Sequence, residues 1–164
     1  MTTNKPQLLP ILPCLCGNFR RTSRALTQLY EDALRPFGLR STQLTILQAL
    51  VRTGEIPQRK LGFILAMDTT SLTRNLAIMR RKGWVRERPG KDRRERLLSL
   101  AAQGEKELQR VLPAWEKLQS RLRRRLGPQA WNQLFQLTHE VTRVVTARRV
   151  VPTTRLETKI GGSS

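Results

Sequence analysis

From Ile56 to Leu100 the chain changes its hydrophobic rhythm midway, and few folds accommodate that change. The stretch reads IPQRKLGFILAMDTTSLTRNLAIMRRKGWVRERPGKDRRERLLSL. Leu61, Ile64 and Leu65, then Leu72, Leu76 and Met79, recur at helical spacings. Beyond Gly83, residues 84–88 and 96–100 read as two strands joined through Pro89 to Arg94. Two short helices, a glycine and a charged hairpin make a helix-turn-helix followed by a basic ribbon. Between Arg80 and Arg96 stand nine Lys/Arg (Arg80, Arg81, Lys82, Arg86, Arg88, Lys91, Arg93, Arg94, Arg96) against three acids (Glu87, Asp92, Glu95).

The whole chain shares this bias. Its 164 residues carry 31 Lys+Arg against 12 Asp+Glu, a formal charge of +19. A chain so basic calls for a polyanionic partner, and nucleic acid is the usual one because each neutralised phosphate releases a counterion. An anionic membrane surface is the competing reading, weakened because the charge sits on a folded motif rather than an amphipathic tail. No apolar run approaches the ~20 residues of a membrane span. The apolar segment 8–16 is short, broken by Pro10 and Pro13, and leads into an arginine-rich helix, which argues against a secretory leader. Two cysteines form no disulfide framework, which fits a reducing cytoplasm.

The remaining elements follow from periodicity and punctuation. Residues 1–13 read as an extended, proline-rich arm. A first helix is expected over 14–35, burying Phe19, Ser23, Leu26, Tyr30, Ala33 and Phe37 and ending at Pro36 and Gly38. Ser41 is placed to cap a second helix, with Leu44, Leu47, Leu50 and Val51 inward and Gly54 as its stop. Pro57 suits the first turn of a third helix, and Asp68 or Thr69 caps a fourth that ends near Gly83. A long helix follows with Leu108, Val111, Leu112, Trp115, Leu118 and Leu122 on one side. Gly127-Pro128 breaks it, and a last helix carries Trp131, Leu134, Phe135, Val141 and Val145. The tail 148–164 has no periodicity and reads as unstructured.

The fourth helix has the make-up of a base reader. Leu72, Leu76 and Met79 form an inner stripe, and Thr70, Arg74, Ala77 and Arg81 an outer one. Small Thr70 and Ala77 let a helix sit deep in a major groove, and Arg74 is long enough to reach the two acceptors of a guanine. Thr69, Thr70 and Ser71 set hydroxyls at the helix N-terminus, the end that meets bases and phosphates. In the hairpin, Asp92 is placed to orient Arg94 for a narrow A·T-rich minor groove, with Lys91, Arg93 and Arg96 on flanking phosphates. The bland readings are a solvated amphipathic helix and a turn in which Asp92 serves its own backbone. The candidate DNA contacts are Ser41, Gln58, Thr69, Thr70, Ser71, Thr73, Arg74, Arg81, Lys91, Asp92, Arg93, Arg94 and Arg96.

LAMDTTSLTRNLAIMRRKGWV followed by RPGKDRRERLLSLAAQGE resembles the MarR (multiple antibiotic resistance regulator) family of winged helix-turn-helix transcription factors. The resemblance covers roughly residues 19–127. One departure stands out: the family's usual leucine-threonine before the next helix is Leu100-Ala101 here, without the hydroxyl cap. The resemblance implies a mostly α fold, a winged lobe with a two-stranded β wing plus N- and C-terminal dimerisation helices. The corresponding division is an arm over 1–13, a winged-helix domain over 14–147, and the tail. Within the domain the DNA-binding lobe spans about 41–100, and the dimerisation helices about 14–36 and 101–147. It further implies a homodimer, a repressor of transcription, gripping double-stranded DNA at an inverted repeat.

Relatives of this kind respond to a small phenolic or lipophilic ligand, or to an oxidant. Cys14 and Cys16 are the candidate redox positions, near a helix N-terminus and beside Arg20 and Arg21. Apolar filling of a dimer seam and metal or metalloid binding are the other readings. Peroxide-sensing relatives set tyrosines beside such a cysteine, and Tyr30 is the only tyrosine. His139, the only histidine, reads as an ordinary surface or seam residue. No set of nucleophile, base or metal ligands points to an enzyme or a cofactor. The main alternative function is a non-sequence-specific architectural nucleic-acid binder.

Overall fold

The computed structural model describes residues 10–11, 13–92 and 95–147. In chain order the elements are α1 (Leu15–Leu34), a 3-10 turn (Arg35–Phe37), α2 (Ser41–Thr53), β1 (Ile56–Pro57), α3 (Gln58–Ile64), α4 (Thr69–Arg81), β2 (Val85–Pro89), β3 (Arg96–Leu100), α5 (Ala102–Leu126) and α6 (Pro128–Ala147). The chain divides into two compact units, Met1–Gln119 and Ser120–Ser164. The arm before residue 10 and the tail 148–164 lie outside the described residues.

In the first unit the buried side chains of α2, α3 and α4 meet the sheet. Leu44, Leu47, Leu50, Leu61, Leu72, Leu76, Met79 and Leu98 are each no more than 2 % exposed. The inner stripe of α4 is thus realised. Val51 and Ile64, expected inward, are exposed. Val51 follows Leu50 by about 100° of helix turn and so leaves the buried face, and Ile64 is the last residue of α3.

The wing is more than a hairpin. Ile56 and Pro57 form a third strand, paired antiparallel with Leu98 and Leu97, and the sheet order is β1-β3-β2. Two residues carry no readable alternation, which is why the sequence suggested only two strands. Pro57 accordingly ends a strand and occupies the N-cap of α3 rather than its first turn. Strand β3 has the expected bounds, and β2 begins one residue later than expected, at Val85.

Ser41 does not cap α2. It is the first helical residue, and Arg40 holds the cap position. The free donors there are met from a distance: Ser41 N–H and Oγ–H both donate to Glu31 Oε1 of α1, at 2.8 Å each. The Arg40 N–H donates to Oε1 of buried Gln43 at 3.1 Å. Burial opposes charge on Glu31, but the Ser41 donors and the Arg40 guanidinium outweigh it and hold the carboxyl below the ordinary 4.5. A lowered folded value means that ionised Glu31 stabilises the fold above about pH 4.5, and that this is lost as pH falls through the folded value. Glu31→Gln is expected to lower stability by about 1 kcal/mol at pH 7. Denaturant unfolding of parent and variant should converge below the folded value, and an equal difference at pH 7 and pH 3 would contradict the assignment.

The apolar face expected along α1 is buried only at its C-terminal end. Leu34 is buried and Tyr30, Ala33 and Phe37 are half-buried, whereas Phe19, Ser23 and Leu26 are exposed in the single chain. Tyr30 Oη accepts a hydrogen bond from Gln119 Nε2 of α5 at 2.6 Å. Earlier in α5, Arg110 donates to the Phe37 carbonyl (2.7 Å) and to buried Glu107, tying that helix to the 3-10 turn. In place of a hydroxyl cap, Ala101 is buried and its N–H donates to the Trp84 carbonyl at 3.0 Å. Gly104 lies against that same carbonyl: a Cβ there would stand 2.1 Å from Trp84 O.

In the second unit Gly127, at φ +80°, separates α5 from α6. Trp131 and Phe135 of α6 meet edge to face, with centroids 5.1 Å apart. Leu134, Phe135, Leu137, Val144 and Val145 are exposed in the single chain.

Candidate nucleic-acid interface

Asp68 starts the helix that carries most of the site. Its Oδ1 accepts the Ser71 N–H at 2.8 Å, meeting one of the free donors of the first turn. The Ser71 hydroxyl and N–H together hold the Asp68 carboxyl below its usual range. With Leu72, Leu76 and Met79 turned inward, the helical period turns Thr70, Arg74, Ala77 and Arg81 outward, and all four are exposed. Thr69 and Ser71 share the exposed first turn. Gln58, the first residue of α3, donates through Nε2 to Thr73 Oγ1 at 3.1 Å, joining two of the expected contacts across the helix-turn-helix. Ser41 stands apart from this group, half-buried and engaged with Glu31.

The strands sort the charges of the wing by alternation. In β2, Arg86 and Arg88 share one face, and Val85 and Glu87 the other. Arg88 holds Glu55 between its Nε (2.7 Å to Oε2) and Nη2, pinning the wing to the segment between α2 and β1. At the tip, Gly90 N–H donates to the Glu95 carbonyl and Glu95 N–H to the Asp92 carbonyl, each at 2.9 Å. Lys91 and Asp92 are exposed there. Arg93 and Arg94 lie outside the described residues, and with them the expected Asp92–Arg94 pairing. Arg96 opens β3 and stands 3.7 Å from Glu87, so this expected phosphate contact is shared with an acid of the protein itself.

Several charged residues of this face stand in the sequence only as members of the basic cluster, with no role of their own. Arg80, the penultimate residue of α4, is ion-paired with Glu87, and Lys82 donates to the Gly38 carbonyl (3.1 Å) with its ammonium 4.3 Å from the Trp84 ring centre. The alternation Arg86-Glu87-Arg88 was the available signal, since it sends the acid to the face opposite the arginines.

Cys14 stands in extended backbone at the N-cap of α1 and Cys16 in its first turn; both thiols are exposed and outside any disulfide. The Arg21 side chain reaches back to the Pro10 carbonyl at 2.8 Å, holding the end of the arm beside this region. Among the described residues no group of three His, Cys, Asp or Glu could hold a metal, and no helix is long and apolar enough to cross a membrane. His139 is exposed on α6.

Known proteins share this architecture. A sequence profile of the MarR family matches residues 37–95. The HTH-type transcriptional regulator YwoH of Bacillus subtilis is 29% identical over 97 residues, covering 59% of this chain and 71% of YwoH. The HTH-type transcriptional regulator SarZ of Staphylococcus epidermidis is 32% identical over 99 residues, 60% of this chain and 66% of SarZ. In three dimensions the chain is similar to the M. tuberculosis transcriptional regulator MosR, solved in complex with DNA. There the TM-score is 0.74 and the identity 33%, over 84% of this chain and 99% of that one.

Proposed function

Because the chain belongs to the MarR family of transcriptional regulators, we propose that it represses transcription in the cytoplasm by binding an inverted-repeat operator as a homodimer. Each subunit sets α4 in the major groove, with Arg74 on base edges and Thr69, Thr70, Ser71, Thr73 and Arg81 around it. Gln58 steadies Thr73. The wing follows the adjacent backbone, with Arg94 in the minor groove, oriented by Asp92, and Lys91 and Arg93 on phosphates. The observation that carries this reading is the exposed stripe Thr70–Arg74–Ala77–Arg81, backed by buried Leu72, Leu76 and Met79 and flanked by the basic wing.

Pairing of two copies is supported by apolar side chains left exposed on α1 and, separately, on α6: Leu15 (63 %), Phe19, Leu137 (63 %) and Phe135 (56 %). Release from DNA follows binding of a small ligand or oxidation of Cys14 or Cys16, whose exposed thiols are open to an oxidant. The net charge of +19 favours a second reading, an architectural binder without a defined site.

A random-duplex selection with purified protein, with and without thiol oxidation, decides between them. The expected product is an inverted repeat with half-sites about 10 bp apart, or a multiple of that, enriched far less after oxidation. Recovery without sequence enrichment would favour the architectural binder.

A further inference from the structure

We propose that Glu87 is a specificity-determining residue, an acid behind the basic surface that holds two arginines on the protein and away from DNA phosphates. The inference rests on the DNA-binding reading above. The sheet register places the acid: Glu87 pairs with Leu98 on β3, and Val85 shares its face of β2. Val85 and Leu98 are buried, so that face turns toward the core, and Glu87 stands at its rim with a side chain only 17 % exposed.

Two cations converge there. Arg80, from the last turn of α4, pairs with Glu87 Oε2. Arg96, the diagonal cross-strand neighbour on β3, brings Nε to 3.7 Å from Oε1. Their side chains are 39 % and 54 % exposed, so both would be open to a polyanion were the acid absent. Arg74, Arg81 and Arg86, by contrast, have no ion pair among the described residues.

Two consequences follow for a reader of DNA. Phosphate contacts raise affinity for every duplex alike, whereas base contacts discriminate. An acid that withholds two arginines therefore lowers the indiscriminate part of the binding and leaves the base-reading part in place. It also joins the end of α4 to both wing strands, which fixes the distance between the groove contacts of the helix and those of the wing.

The test compares parent, Glu87→Gln, Glu116→Gln and the double variant Glu87→Gln/Arg80→Gln. Binding to the selected operator and to a random duplex is measured across a salt series, with folding checked by circular dichroism. Glu116 is an exposed residue of α5, and its variant carries the same charge change without freeing an arginine of the wing. For Glu87→Gln the random-duplex salt slope should steepen by about 1 to 2, the random-duplex affinity should rise about tenfold, and the operator preference should fall. Glu116→Gln should stay near the parent, and adding Arg80→Gln should remove about half of the gained slope.

If Glu87→Gln behaves as Glu116→Gln does, the proposal is wrong. Should Glu87→Gln not fold, Arg80→Gln alone decides. An unchanged random-duplex slope supports the proposal, because that guanidinium is already engaged; a slope shallower by about 1 overturns it. A parent without operator preference would remove the regulatory reading, and the random-duplex slopes would then decide the role of Glu87 on their own.

Discussion

Gly104→Ala is expected to cost at least about 3 kcal/mol, enough to unfold a protein of ordinary marginal stability. The added Cβ would lie 2.1 Å from Trp84 O and 2.9 Å from Trp84 C and Leu100 Cδ1. A flexible side chain could move aside, but the first two are backbone atoms. That carbonyl also accepts the Ala101 N–H, and the neighbouring Trp84 side chain is buried. Relief would need α5 to lift from the base of the wing, uncovering Leu108 and Val111. Gly127→Ala is the matched comparison. There a Cβ meets nothing within 4 Å, and only the positive φ opposes it, at roughly 1–2 kcal/mol. Denaturant unfolding measures both, and a Gly104→Ala protein within about 1 kcal/mol of the parent would contradict the packing described.

Arg74→Ala is expected to leave stability unchanged and to erase base preference at one operator position. The side chain is exposed midway along α4 and has no ion pair among the described residues. A bidentate arginine–guanine contact discriminates by about 1–3 kcal/mol, so preference for the selected base should fall roughly 5- to 150-fold. Competition between the operator and a duplex altered at that base pair reads this directly. Equal discrimination by parent and variant would move base reading elsewhere on α4. Leu72→Ala, two residues away but buried, should instead lose about 2–5 kcal/mol of stability.

Helix α4 was legible because one local pattern fixes both of its faces: once Leu72, Leu76 and Met79 face inward, the outward stripe has no freedom left. Strand β3 was legible for a similar reason, its apolar run being bounded by charged and turn residues. Non-local pairings were not. Strand β1 exists only through its partners on β3, and the start of α2 is satisfied by Glu31, ten residues back on another helix. An N-cap rule reads neighbours, so it chose Ser41. Along α1 the apolar spacing marks a face, but spacing cannot say whether that face is covered within one chain, and only its C-terminal end is. In the wing, counting charges located the basic region but could not tell which arginines an acid of the protein already holds.

The link from Glu31 to the start of α2 makes α1 a lever. Its last turns are embedded through Leu34 and Tyr30, and its carboxylate grips the Ser41 N–H and hydroxyl. From Glu31 to Leu15 the rod extends about 24 Å at 1.5 Å per residue. A 5° tilt about the gripped end therefore sweeps the far tip through about 2 Å, and a displacement imposed at the tip returns to the grip as torque. Whatever seizes Leu15 and Phe19 has mechanical purchase on the lobe that carries α4.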